Sequence, residues 1–357
     1  MIIHIGEMPR LRSVDSFLNS VKKEGLTLMN SENRGGECQL DRIRRTRGAK
    51  VCRCCFRAMT RNNRKKAAEW INDDNLTFGS LFLLSPAVRE AKLEPELNER
   101  NRTALKLCET ILNRGKTPGA GVKSAACRCA ENRGALLWMF QTGTRDDGLS
   151  EDFDEILDIA VSVLIKNYHE TSILPAATEL VFGRNRKGTY CHDLIWALFQ
   201  TRDPDILRLF AKYLRSPRAK DVSLARTILN LPACGSSEQP KQFQSFEAWL
   251  EENKPYLFFT GENFHCSSRP CLCGVDQGAK YLCKNISPCS RTPVNPLTEN
   301  EKACLESFRC AAEKQQAVLC RCSQKIHRQN PSQWGLWIRL PVDEQIRLAA
   351  QLEEGNV

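Results

Sequence analysis

The sequence predicts an all-α protein, and two observations predict this class. Apolar residues recur at spacings of three and four along most of the chain, as they do on one face of an α-helix. From residue 150 onward these periodic segments follow one another with separators of only three to six residues. Helices with such short connections lie as antiparallel neighbours, so this part of the chain predicts antiparallel helical hairpins stacked as a short α-solenoid.

The composition is typical of a soluble globular protein, apart from its cysteines. The 357 residues are enough for two or three domains, with 41% apolar and 26% charged side chains. A mean hydropathy of −0.42 and the lack of a long apolar run exclude a membrane-spanning helix and predict no membrane partner. The start, MIIHIGEMPRLRSV, does not resemble a secretory signal. We therefore expect a cytoplasmic protein whose 18 cysteines are thiols or metal ligands rather than disulfides.

Residues 1–72 are predicted to form a basic N-terminal helical region. Within it, apolar periodicity predicts a helix over 11–24. Residues 25–50 carry Gly, Asn and Ser around NSENRGGE and predict a loop. A second helix is expected over 53–72, where the NDDN sequence that follows is typical of a helix end and a new start.

Residues 73–149 are predicted to be a helical linker region. Its first element is a short apolar helix, LTFGSLFLL, which we expect to end where the chain meets Pro86, because proline cannot donate the helical hydrogen bond. Three further helices are predicted over 96–114, 119–132 and 134–142.

Residues 150–255 are predicted to form the helical-hairpin domain, with units that begin near 152, 189 and 221. The most repeat-like stretch is HDLIWALFQTRDPDILRLFAKYLRSPRAKDVSLARTIL. In hairpin length, an Asp-Pro turn and basic residues in the second helix, residues 150–252 resemble the HEAT/armadillo class of α-solenoids. The resemblance implies stacked hairpins whose concave face binds an extended protein partner, and it carries over no catalytic residue. A non-repetitive helical domain is the alternative.

Residues 256–297 are rich in Cys, Gly, Ser, Pro and Asn and predict an irregular connector. Helices return over 298–357, which we expect to form a C-terminal helical cap. The sequence TENE at its start is a capping-box pattern and predicts a helix that continues to about residue 328. Short helices are expected after Pro331 and Pro341, with the tryptophans between them in the core.

The positive charge of the chain is concentrated in one segment. The formal net charge is +10, and residues 1–70 alone hold 16 Lys and Arg against 7 Asp and Glu. Within 42–66 there is no acidic residue. The basic side chains of this segment are Arg42, Arg44, Arg45, Arg47, Lys50, Arg53, Arg57, Arg61, Arg64, Lys65 and Lys66.

Two interpretations of the basic segment remain open. It could bind nucleic acid through non-specific phosphate contacts, since a dense cationic segment releases the counterions of a polyanion. Phe56 is its only aromatic residue, so base stacking would contribute little. Alternatively, the segment could be a solvated face or pair internally with the acidic stretch 146–158, which contains no Lys or Arg.

The cysteines form two clusters that could carry chemistry. Zinc is held by four N or S ligands in tetrahedral geometry, which Cys266, Cys271, Cys273 and Cys283 could provide within the connector. Because the usual Cys-x2-Cys pairs are missing, we favour loop or core thiols and keep structural zinc as the alternative; no other cofactor is expected. In the second cluster, around Cys52, the neighbouring arginines predict thiols of lowered pKa and raised reactivity.

No sequence motif predicts an enzyme. Gly115-Lys116-Thr117 lacks the first glycine of a phosphate-binding loop, and Cys191-His192-Asp193 are chain neighbours that cannot converge on one another. Our leading functional hypothesis is therefore a non-enzymatic interaction or scaffold protein that binds a protein partner along the helical surface. A nucleic-acid-associated protein is the second hypothesis, and a regulatory protein containing structural zinc is the third.

Overall fold

The computed structural model describes residues 37–113, 130–233, 235 and 238–354. Helices dominate these residues, and the two short strands form one small sheet, which confirms the all-α class. The chain divides into two compact units, Met1–Ile173 and Leu174–Val357. The helix predicted over 11–24 and most of the one predicted over 119–132 lie outside the described residues. Within the described ranges, no helix has both the length and the apolar character needed to cross a membrane.

The described helices of the first unit are joined mostly by short turns. They are α1 (Gln39–Arg47), α2 (Ala49–Asn62), α3 (Arg64–Ile71), α4 (Phe78–Glu90), α5 (Glu99–Leu112), α6 (Ala130–Gly143) and α7 (Glu151–Tyr168).

The N-terminal helices differ from the prediction in two places. Residues 39–47, expected to be loop, form α1, because Leu40 and Ile43 provide a buried apolar edge. The single helix expected over 53–72 is two helices, α2 and α3, which meet at Asn63. The Asn63 side chain accepts a hydrogen bond from the amide of Lys66 (3.0 Å) and so caps the start of α3.

Helix α4 continues through Pro86, where the sequence predicted an end. Proline cannot donate to the carbonyl of Phe82, four residues earlier. The Ser85 hydroxyl donates to that carbonyl instead (2.8 Å). Buried residues on both sides of the proline, among them Leu84 and Val88, keep the helix packed against the core.

The core of the first unit is aromatic, and α7 belongs to it. Phe153 of α7 stacks on Phe78 of α4, with ring centroids 5.1 Å apart. Gly143 at the end of α6 lies so close to α7 that an added Cβ would stand 3.0 Å from Leu157. Helix α7 was predicted to open the hairpin domain 150–255, whereas these contacts place it in the first unit.

The second unit contains ten helices within its described residues and the two strands. The helices are α8 (Leu174–Lys187), α9 (His192–Phe199), α10 (Ile206–Ala211), α11 (Ala219–Ile228), α12 (Gln239–Asn253), α13 (Gln277–Tyr281), α14 (Glu299–Cys310), α15 (Glu313–Gln329), α16 (Pro331–Trp337) and α17 (Val342–Glu354). The strands are β1 (Leu257–Phe259) and β2 (Cys273–Val275), antiparallel, with Phe258 opposite Gly274.

Helix α8 is the centre of the hairpin region in this unit, and α9, α10 and α11 pack around it. Phe182 of α8 stacks on Tyr213, with ring centroids 3.5 Å apart. Arg186 of α8 pairs with the buried Asp221 of α11 (3.2 Å). These contacts join neighbouring helices without establishing a regular repeat, so the solenoid arrangement stays a prediction.

The C-terminal helices pack on the end of the connector. The predicted capping box is present, since Thr298 and Glu301 exchange side chain-to-amide hydrogen bonds. The long helix expected from there is divided at residues 311 and 312 into α14 and α15. The phenol ring of Tyr281 in α13 stacks on Phe308 (4.4 Å between centroids), and its hydroxyl donates to Gln345 (2.9 Å). Trp337 is buried in the same cluster.

Candidate nucleic-acid interface

Helix α2 has two faces of opposite character. Lys50, Arg53, Arg57 and Arg61 are all exposed, and their spacings of three and four place them along one edge of the helix. We refer to these four residues as the basic stripe. The opposite face, Cys52, Cys55, Phe56 and Met59, is buried in the first unit. Burial of the apolar face therefore orients the four cationic side chains towards solvent.

The ion pairs of the basic stripe are weak. Arg57 Nε lies 2.9 Å from Glu90 Oε2, and Arg61 Nη2 lies 3.9 Å from Glu90 Oε1. All three side chains are exposed, by 46% for Arg57, 72% for Arg61 and 52% for Glu90. Exposed pairs of this kind contribute only about 0–1 kcal/mol, so a phosphate group can replace the carboxylate at little cost.

Two of the predicted binding residues have structural roles instead. The Arg64 guanidinium donates to the carbonyls of Ala91 and Lys92 (both 2.6 Å) and to Glu96 Oε1 (2.7 Å). Arg44 Nη2 donates to Asp146 Oδ2 (2.8 Å), and the Arg44 side chain is largely buried. Both guanidiniums thus join segments of the first unit, although the Arg64 side chain remains 47% exposed.

The pair between Arg44 and Asp146 is an internal contact of the basic segment with the acidic stretch 146–158. Beside it, the buried carboxylate of Asp41 accepts hydrogen bonds from the Thr77 amide (2.8 Å) and from the Ser80 hydroxyl. These donors lie at the N-terminus of α4, where the helix dipole favours a negative charge. The start of the basic segment is thus attached to its own fold through Arg44 and through Asp41, the residue that precedes the segment.

The remaining predicted binding residues surround the stripe along the chain. Arg45 is exposed and pairs with Glu37, and Arg47 and Lys65 are exposed. Arg42 and Lys66 are half-buried, and Lys66 Nζ lies 5.6 Å from the centroid of the Trp70 ring. The exposed part of the segment is therefore narrower than the eleven residues predicted from sequence.

The cysteines below the stripe are not the reactive thiols that the sequence predicted. Burial raises the pKa of Cys52 and of Cys38 to about 12, although arginines lie nearby in sequence. The Cys52 thiol is hydrogen-bonded to the carbonyl of Leu40 (3.6 Å). Desolvation outweighs the attraction of the cationic neighbours, so these thiols stay protonated and act as core side chains.

The four cysteines predicted as alternative zinc ligands have different surroundings. Cys266 is exposed, the Cys271 thiol donates to the carbonyl of Cys273 (3.2 Å), and Cys283 lies 3.7 Å from the hydroxyl of Ser323. Burial raises the pKa of Cys273 to about 12 and raises the pKa of Cys271 and Cys283. Among the described residues, no group of three or more His, Cys, Asp or Glu side chains is arranged to hold a metal ion.

A polar cluster in the second unit was missed by the sequence argument. His265 of the connector lies between two residues near the start of α9, with Nδ1 3.1 Å from the Tyr190 hydroxyl and Nε2 3.1 Å from Asp193 Oδ1. His192 was considered with Asp193 as chain neighbours, but the imidazole that meets the carboxylate comes from more than seventy residues further on. The pattern of neighbouring residues contained no signal for this contact. The three side chains are exposed and connect the connector to α9.

The second unit also contains an apolar groove of about 600 Å³. It lies between the end of α11, helix α12 and the residue before β2, and Ile228, Phe246 and Leu272 form part of its wall. Trp249 lines it with 38% of its surface exposed, which is unusual for so large an apolar side chain. We refer to this feature as the apolar groove.

Comparison with known proteins found no match of this chain to a protein-family model, to a curated protein or to a solved structure.

Proposed function

We propose that this chain is a non-enzymatic nucleic-acid-binding protein that contacts backbone phosphates through the basic stripe on α2. The observation that carries the proposal is the arrangement of Lys50, Arg53, Arg57 and Arg61 along one exposed edge of a helix whose other face is buried. Such an edge is held in place by the core, so binding a polyanion costs little ordering of the backbone.

Charge supports the same proposal. Residues 42–66 contain eleven basic and no acidic side chains, while the formal net charge of the whole chain is +10. A polyanion that meets this surface exchanges its condensed counterions for Lys and Arg. The exposed carboxylate of Glu90, which pairs with two members of the stripe, competes only weakly.

The test measures binding of the chain to a DNA duplex by fluorescence anisotropy, over a salt titration from about 50 to 300 mM. Four phosphate contacts predict a slope of about −4 in a plot of log K against log salt. In the variant Lys50→Ala/Arg53→Ala/Arg57→Ala/Arg61→Ala, we expect the affinity to fall at least about tenfold at 100 mM salt and the slope to approach zero.

A matched control keeps the change in net charge equal. Lys106, Lys314, Lys325 and Arg339 are exposed and lie outside the stripe, so their fourfold alanine variant also removes four positive charges. We expect it to bind like the unmodified chain. Equal losses in both variants would mean that net charge, and not the stripe, attracts the ligand. No binding by the unmodified chain would refute the proposal.

A protein-interaction role at the apolar groove is the second candidate function. It is favoured by the half-exposed Trp249, since tryptophans in apolar depressions are frequent anchors of protein interfaces. This candidate corresponds to the interaction-protein hypothesis, with the groove as the binding surface.

The second candidate is tested by quantitative affinity capture with Trp249→Ala. Leu336→Ala provides the control, because Leu336 is an exposed apolar residue (71%) that does not line the groove. A partner retained by the control and lost by Trp249→Ala supports the groove. Identical partners for both variants would exclude it as the binding surface.

A further inference from the structure

We infer that the ligand of the basic stripe is double-stranded DNA, bound without sequence preference, rather than a single strand. This inference rests on the proposed function and names the nucleic acid that the stripe fits. Its three grounds are the missing stacking platform, the fixed row of charges and the occupied polar side chains around it.

The first ground is the lack of an exposed aromatic side chain on the edge of α2 that carries the stripe. Proteins that bind single strands place successive bases on exposed aromatic rings. Phe56, the only aromatic residue of the segment 42–66, is fully buried beneath the stripe. Trp70, the next aromatic residue along the chain, is half-buried on α3. The exposed edge of α2 therefore has cations but no platform on which an unpaired base could stack.

The second ground is the spacing of the charges. Lys50 and Arg61 are separated by eleven residues, which corresponds to about 16 Å along a helix axis. A DNA duplex presents about nine phosphates over this length, from its two strands together. The fixed stripe therefore meets a surface of regularly spaced, dense negative charge, whereas a flexible single strand would have to lose conformational freedom to align with it.

The third ground concerns the polar side chains that could read bases or sugars. The Thr60 hydroxyl, between two members of the stripe, donates to the carbonyl of Arg57 (2.8 Å). The Thr46 hydroxyl donates to the carbonyl of Arg42 (2.7 Å), and the Asn63 side chain caps α3. These three groups are engaged with their own backbone, whereas Asn62 at the end of α2 is exposed. The four cations of the stripe therefore provide mainly phosphate contacts, which carry no sequence information.

The same observations favour DNA over double-stranded RNA. Recognition of an RNA duplex relies on its 2′-hydroxyl groups, for which polar side chains are needed, and its major groove is too narrow for a helix. The major groove of B-form DNA, about 12 Å wide, admits an α-helix. The exposed edge of α2, whose other face is buried, can thus lie along the phosphates that border a DNA groove.

The experiment measures binding of the full chain to four probes by fluorescence anisotropy at about 100 mM salt: duplex DNA of about 24 base pairs in an AT-rich and a GC-rich version, duplex RNA of the same length, and a single-stranded oligo-dT of about 24 nucleotides. We expect duplex DNA to bind at least about tenfold more tightly than oligo-dT or duplex RNA. The two DNA sequences should differ by less than about threefold. The stripe variant should lose the preference for duplex DNA.

The outcomes distinguish a failure of the duplex-DNA inference from a failure of the proposed function. If oligo-dT or duplex RNA binds as tightly as duplex DNA, the inference is wrong while the proposed function stands. A large difference between the two DNA sequences would overturn the absence of sequence preference. If no probe binds, the proposed function fails as well. Circular dichroism of the stripe variant shows whether a loss of binding comes from unfolding.

Discussion

The basic stripe and the cysteine-rich connector differ in what positions their side chains. The stripe lies on a helix, where one buried face determines the direction of every exposed residue. In the connector, each cysteine has its own surroundings: Cys266 in solvent, Cys273 on a strand and Cys283 beside Ser323. Regular structure thus places the members of a sequence cluster along one face of a helix, whereas each cysteine of the mostly irregular connector has its own environment.

The largest expected effect concerns the buried face of α2. Phe56→Ala should lower the free energy of unfolding by about 3–5 kcal/mol, because it leaves a cavity in the core of the first unit. Arg53→Ala on the exposed edge of the same helix should change it by less than about 0.5 kcal/mol. Urea unfolding of both variants measures the contrast. Similar losses for the two positions would show that α2 has no distinct buried face.

The next effect is on thiol reactivity. Cys266 and Cys289 are exposed, whereas Cys38 and Cys52 are buried. A thiol-specific reagent at neutral pH should modify the buried pair at least about a hundredfold more slowly, because they react only after local opening. Mass spectrometry of the labelled peptides follows each residue. Rapid labelling of Cys52 would contradict its assignment to the core.

The pH dependence of this protection has a defined sign. Because burial raises the pKa of Cys52 to about 12, the folded state favours the protonated thiol. The contribution of the protonated Cys52 thiol to the free energy of unfolding is fully present below the ordinary thiol pKa of about 8.5. It is lost as the pH rises towards 12. Labelling of Cys52 should therefore stay slow between about pH 7 and 8.5.

A smaller effect is expected at the edge of the basic segment. Arg64→Ala removes three hydrogen bonds that connect α3 with residues 91–96 and should cost about 1–2 kcal/mol of unfolding free energy. Arg57→Ala removes an exposed ion pair and should cost less than about 0.5 kcal/mol. Thermal unfolding compares them. Equal values would show that the three hydrogen bonds of Arg64 stabilise the fold no more than the exposed ion pair of Arg57 does.

The smallest expected effect is that of zinc on the connector. Equimolar zinc should leave the labelling of Cys266, Cys271, Cys273 and Cys283 unchanged. The reason is that the described residues contain no group of three or more His, Cys, Asp or Glu side chains arranged to hold a metal ion. The same labelling experiment with and without zinc measures this. If one zinc ion per chain protects all four cysteines from labelling, the structural-zinc interpretation is correct. The connector would then also bring its side chains together in space, as the stripe does.

Prediction from the sequence was correct where a local pattern was sufficient. The helical class, the capping box at Thr298 and the buried Trp337 followed from periodicity and from known cap residues. It was wrong at Pro86, where the Ser85 hydroxyl compensates for the missing amide proton, and at residues 39–47, where a helix replaces the expected loop. Neither outcome could be read from the local pattern, since tertiary packing supports both.

By itself, the sequence determined that this protein is helical and that its positive charge is concentrated in residues 42–66. Both are properties of short stretches, which act through local spacing and composition. Only the tertiary structure decided which arginines are exposed on α2. It also decided that Arg44 and Arg64 pair with carboxylates of other segments, and that His265 contacts Asp193. The physical reason is that burial and pairing depend on residues distant along the chain.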